Sequence, residues 1–72
     1  MAELARGRGR TGTVTAFDAA VGLGTIESDE GEPFGFHCIE IADGSRDIAP
    51  GTPVSFDLLS KLGRHEAANI RR

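Results

Sequence analysis

The chain has no tryptophan and no tyrosine, one cysteine, one methionine and three prolines. A single cysteine, Cys38, cannot close an internal disulfide, which fits a reducing compartment and a cytoplasmic protein. No apolar run approaches the ~20 residues needed to cross a bilayer. The N-terminus lacks an apolar signal segment, so neither membrane insertion nor secretion is expected. No long stretch carries helical periodicity, which leaves residues 39–43 as the place for one short turn. The 72 residues suffice for one domain, and a chain this short buries only about 60% of its unfolded surface.

What is present is glycine and an uneven distribution of charge. Ten glycines point to tight turns and short strands. The formal charge of −3 conceals an acidic body between basic ends. Residues 1–10 set Arg6, Arg8 and Arg10 against Glu3, a net of +2. Residues 11–59 set Arg46 against nine carboxylates, a net of −8, and residues 60–72 return to +3. A polyanion is therefore drawn to the ends of the chain. Residues 1–10 are charged, glycine-punctuated and poor in apolar side chains, which predicts a flexible basic arm ahead of a folded domain at 11–72.

From Thr11 onward the pattern changes. Residues 13–17 are β-branched and alternating, and they predict a first strand. Residues 23–28 predict a second, closed by the turn residues Asp29, Glu30 and Gly31. A third runs over 34–39 behind Pro33, a fourth over 53–59, and a fifth near 67–71 after the Leu62-Gly63 turn. Five short strands in about 60 residues are best accommodated by an all-β, five-stranded antiparallel barrel, which hides its edges by closing. Period-two alternation sorts the faces. Val14, Ile26, Phe34, Phe36, Ile41, Val54, Phe56, Leu58 and Ile70 are the expected interior. Thr13, Thr15, Phe17, Leu23, Thr25, Gly35 and His37 are expected on the opposite face, where a ligand would lie.

The motifs carried on this frame are Thr11-Gly12-Thr13-Val14, Phe17-Asp18, Gly22-x-Gly24-x-Ile26, Asp29-x-Gly31, Phe36-His37, Val54-Ser55-Phe56 and Ala67-Ala68-Asn69-Ile70. In order and spacing they resemble the bacterial cold-shock protein family, an OB-fold, across residues 11–70. The resemblance implies single-stranded RNA or DNA stacking on rings of the first three strands, worth about 1–3 kcal/mol per base. It also exposes what this chain has given up. The family carries tryptophan where Ala16 stands, and phenylalanine at Leu23, Thr25, Gly35 and Cys38. It carries lysine at Thr15 and Val21. Of the aromatic platform, Phe17 and His37 remain, while Phe34 and Phe36 are larger than the family's valines and refill the core.

The resemblance therefore implies weak binding of single-stranded RNA or DNA without sequence preference. Phe17 and His37 would stack, Leu23 and Thr25 would give apolar contact, and Arg6, Arg8 and Arg10 would grip phosphates. Three such grips give a salt slope of only about −2 on a single strand. The rival expectation is an OB-fold interaction module that has lost nucleic acid and meets a basic protein partner through its acidic body. Either way a monomer without cofactor or metal is expected.

Other signals resolve to bland readings. Gly7-x-Gly9-x-x-Gly12 has dinucleotide-fingerprint spacing but precedes a strand rather than a helix. His37 and Cys38 are strand neighbours that point apart and lack an orienting third group, so no thiol catalysis is expected. Cys38 reads as a small buried thiol. With His65 as the other histidine, a Cys/His metal set is short of ligands. Asp29, Glu30 and Glu32 read as a solvated hairpin turn without calcium-loop spacing. No enzyme is expected.

Overall fold

The computed structural model describes residues 9–61 and 64–72. Arg6, Arg8 and most of the expected arm lie outside the described residues, as does the Leu62-Gly63 turn. The described chain forms β1 (Arg10–Asp18), β2 (Leu23–Ser28), β3 (Pro33–His37), β4 (Pro53–Lys61) and β5 (Arg64–Arg71). A 3₁₀ turn over Cys38–Glu40 follows β3. The strands close in the order β1-β2-β3-β5-β4, giving the all-β five-stranded barrel of an OB-fold. Neighbours pair antiparallel except at closure, where β3 meets β5 in parallel through Gly35 and Glu66.

Turn chemistry explains the joints. Asp18 Oδ1 accepts from the Ala20 N–H at 3.0 Å, and the Asp18 carbonyl accepts from Gly22 N–H at 2.8 Å. Gly22 then supplies a φ of 73°, a left-handed conformation that glycine adopts at little cost. Ser28 is buried but satisfied, since its hydroxyl accepts from Glu32 N–H at 3.2 Å across the β2–β3 turn.

All nine expected interior residues are buried, and Cys38, Ile48 and Ala67 join them. Phe34 and Phe56 tilt together at 5.9 Å between centroids. Each fully buried side chain of this size is worth about 1.5–3 kcal/mol. Ile48 reaches the core from the long β3–β4 connection. Ala67 and Ile70, three residues apart, both point inward because β5 bulges where Ser55 and Asp57 face Arg71 and Ala68. Asn69 absorbs that bulge at φ 50°, a conformation asparagine tolerates better than most residues.

A second bulge matters more for function. In β1, Val14 faces Ile26 but Ala16 already faces Thr25, so Thr15 is an extra residue. Such an insertion resets which side chains point in. Simple alternation placed Phe17 on the outer face, and the structure corrects this. Ala16 takes the outer position, while Phe17 shares a row with Gly24 and the buried Phe36.

Candidate functional site

Register across β1, β2 and β3 assembles the outer face row by row. Thr13, Glu27 and Pro33 form one row, Ala16, Thr25 and Gly35 the next, and Asp18, Leu23 and His37 the third. Directly opposed residues share a face. The parallel pairing of Gly35 with Glu66 extends the middle row onto β5. Leu23, Thr25 and His37 therefore do come together, as expected. Phe17 does not join them. Its ring lies half-buried against Phe36, 5.9 Å between centroids and 10° from parallel.

Gly24 makes that stack possible. A methyl group there would lie 2.5 Å from Phe36 Cζ and 2.9 Å from the Ala16 carbonyl oxygen. Only a residue without Cβ leaves room for the ring. Gly35 is the opposite case, exposed, with the Gly24 carbonyl oxygen 3.8 Å from a Cβ added to it.

A groove of about 460 Å³ runs over this seam, with Leu23, His37, Ile39 and Glu66 around Gly24, Gly35 and Phe36. Its exposed apolar side chains are aliphatic, Leu23 at 53% and Ile39 at 71% exposure. His37 is the single aromatic ring on the outer rows. Its Nδ1 accepts from the Ile39 N–H at 3.2 Å. That bond leaves the neutral ring's proton on Nε2, which becomes the donor available to a ligand. Ile39 and Glu66 were not expected at the site, because one sits in a turn and the other arrives only through the β3–β5 register.

Acidic residues mark the rows of this face. Asp18, Glu27 and Glu66 occupy positions in its three rows, and none of the positions there is lysine or arginine. The described arginines are mostly engaged elsewhere. Arg10 opens β1 and lies 4.0 Å from Glu30, and Arg71 lies 3.5 Å from Asp57. Arg72 Nε donates to Asp43 Oδ2 at 3.0 Å and its guanidinium also reaches the Ser45 hydroxyl. The Ser45 backbone N–H, with Arg72 beside it, draws the Asp43 pKa down to about 2. Arg46 is exposed.

Cys38 is buried, opens the 3₁₀ turn and packs beneath Gly22. The third strand ends at His37. Among the described residues no group of three or more His, Cys, Asp or Glu is placed to hold a metal ion. No described helix is long and apolar enough to cross a membrane.

Comparison of the sequence with protein families matches the 'Cold-shock' DNA-binding domain over residues 10–72, which spans every strand of the barrel. No curated protein matches the chain.

Proposed function

The chain belongs to the 'Cold-shock' DNA-binding domain family, a nucleic-acid-binding family, and from that premise we propose that it binds single-stranded RNA or DNA weakly and without sequence preference. The family match across the whole barrel carries this reading. Leu23 and Thr25 give apolar contact and His37 stacks, which leaves one aromatic ring where a full platform would supply several increments of about 1–3 kcal/mol. Phe17 supports the face from inside through Phe36 rather than offering a free ring. Arg6, Arg8 and Arg10 hold phosphates. The protein binds rather than catalyses, and it works as a cytoplasmic monomer without a cofactor.

The test is titration of isotope-labelled protein with a short pyrimidine-rich strand at low salt, for the native chain and for Arg6→Ala/Arg8→Ala. The amides of Leu23, Thr25 and His37 shift in both proteins, and the variant loses roughly 1.4 units of salt slope for two phosphates. Absence of shifts at those three amides refutes the reading.

One observation favours a second reading, a protein-interaction module. Asp18 and Glu27 lie in outer rows where no position is lysine or arginine, so the face suits a basic protein better than a phosphate chain.

A further inference from the structure

We propose that protonation of His37 switches the site: the neutral ring caps the turn behind β3, and the protonated ring releases that turn and becomes a phosphate contact. The proposal rests on the nucleic-acid reading above and adds a regulation of the same site by pH.

His37 holds two posts at once. It is the aromatic ring of the outer rows. It is also the N-cap of the 3₁₀ turn Cys38–Glu40, with an extended backbone and a side chain that accepts from the Ile39 N–H. That bond, 3.2 Å long at Nδ1, needs a lone pair. A neutral imidazole has one donor nitrogen and one acceptor nitrogen, whereas the protonated ring has two donors and no acceptor. A proton added at Nδ1 therefore sets N–H against N–H, and the cap is lost. Histidine ordinarily changes charge between about pH 5 and 8. The cap is present at the alkaline end of that window and lost as pH falls through it.

The turn carries Ile39, so releasing it reshapes the site. Ile39 is exposed and lines the groove with Leu23 and His37. It also lines an adjoining pocket of about 220 Å³ with Cys38, Ile41, Ser45 and Arg46. Freeing this one residue alters the rim of both. The change stays local, because two other bonds hold the turn without the ring. Cys38 N–H donates to the Gly22 carbonyl at 2.8 Å, and Ile41 N–H donates to the Cys38 carbonyl at 3.1 Å.

Charge gives the switch its direction. In the row Asp18, Leu23 and His37 no position is lysine or arginine, so the protonated ring is the cation that row lacks. The titratable groups around it are Asp18 on β1, Glu40 in the turn, and His65 and Glu66 on β5, while β2 presents the uncharged Leu23. Asp18 accepts from the Ala20 N–H, Glu40 accepts from the Asn69 N–H at 3.3 Å, and Glu66 has an interaction partner of its own. Each carboxylate thus has a contact already, and the two N–H groups of the protonated ring are left for a phosphate.

The experiment uses isotope-labelled full-length protein and a short thymidine strand, whose bases stay neutral over this window. At the alkaline end the Ile39 amide nitrogen shows scalar coupling to His37 Nδ1 across the hydrogen bond. As pH falls that coupling disappears, and the Ile39 amide moves at the same midpoint as the His37 ring carbons. Affinity for the strand rises by about two- to fivefold, the size of one exposed ion pair, and the salt slope steepens by about 0.7 for one phosphate. His37→Asn keeps a capping acceptor but cannot titrate. It binds more weakly at every pH for want of the ring, and neither its turn nor its affinity responds to pH. His65 is intact in that variant, so the comparison isolates His37. A coupling that persists after the ring has titrated overturns the proposal, and so does an equal pH response in His37→Asn. A strand that moves no amide at either pH overturns the proposed function and the phosphate half of the switch with it, while the coupling still decides the cap.

Discussion

Placing rings on the outer face should raise nucleic-acid affinity by an amount set by base stacking. Leu23→Phe/Gly35→Phe places two aromatic groups in the rows that contain His37 and Thr25. Gly35 is exposed, and its backbone is not in the left-handed region, so a Cβ there meets only ordinary contact and no backbone strain. Each ring is worth about 1–3 kcal/mol per stacked base. Glu66 and Asp18 remain to repel the phosphates, so the lower end of the range applies to both rings. Two increments of about 1 kcal/mol give roughly thirtyfold tighter binding, at 1.36 kcal/mol per factor of ten. Fluorescence anisotropy with a labelled pyrimidine-rich strand, repeated over a range of salt, measures it. The salt slope should not change, because rings add no phosphate contacts. A gain below about threefold, or a gain that arrives with a steeper slope, refutes the argument that missing rings set the affinity.

Two further outcomes follow from the geometry. Gly24→Ala drives a methyl group into Phe36 and the Ala16 carbonyl, and overpacking of this kind costs about 1–3 kcal/mol, or at least ~4 °C of melting temperature in a domain this small. Gly35→Ala, its neighbour across the strands, should melt no lower than the native chain, and circular dichroism on heating separates the pair; equal melting temperatures would mean the Phe17–Phe36 stack is not as described. Asp43 has its pKa depressed from 3.8 to about 2, so its contribution to stability is present above 3.8 and is lost as pH falls through the lower value. Arg72→Ala should raise the Asp43 pKa part of the way, the Ser45 N–H bond remaining, and should narrow that acid window when the carboxyl carbon is followed by NMR; an unchanged titration refutes the ion pair.

Much of this molecule is legible in the residues themselves, and the exceptions have physical causes. Val54, Phe56 and Leu58 alternate without interruption, so their burial could be read directly. The ends of strands could not, since Arg10 and Thr11 join β1 by pairing with Phe56 and Ser55 rather than by hydrophobicity. Ile48 is buried from a connection that has no period to read. The two bulges defeated alternation in opposite ways. At Asn69 the bulge brings Ala67 and Ile70 inward together, and at Thr15 it turns Phe17 inward and Ala16 outward. A signal for the second existed. Gly24 lies inside β2, and an internal strand glycine often marks close approach by a neighbour, here the Phe36 ring. At the site, Leu23, Thr25 and His37 follow from alternation because β2 and β3 are regular. Glu66 required the parallel closure of the barrel, which leaves no trace in local sequence.

The barrel and its outer face answer to different demands, and this is why family membership and loss of the family's rings can coexist. Val14, Ile26 and Phe56 hold the barrel from inside and are fully covered. Leu23, Thr25 and Gly35 face away from them, and exposed substitutions there change stability by little, typically within about 0.5 kcal/mol. The face is therefore free to change its side chains while the fold persists, and its chemistry rather than its topology selects the partner. Salt distinguishes the two partners. Binding led by arginines on phosphates weakens steeply as counterions compete, whereas a partner held by Leu23 and Ile39 keeps its apolar share of the affinity at high salt. A complex that survives salt and also needs Leu23 and Ile39 is held by the face, and one lost with Arg6 and Arg8 is held by the end of the chain.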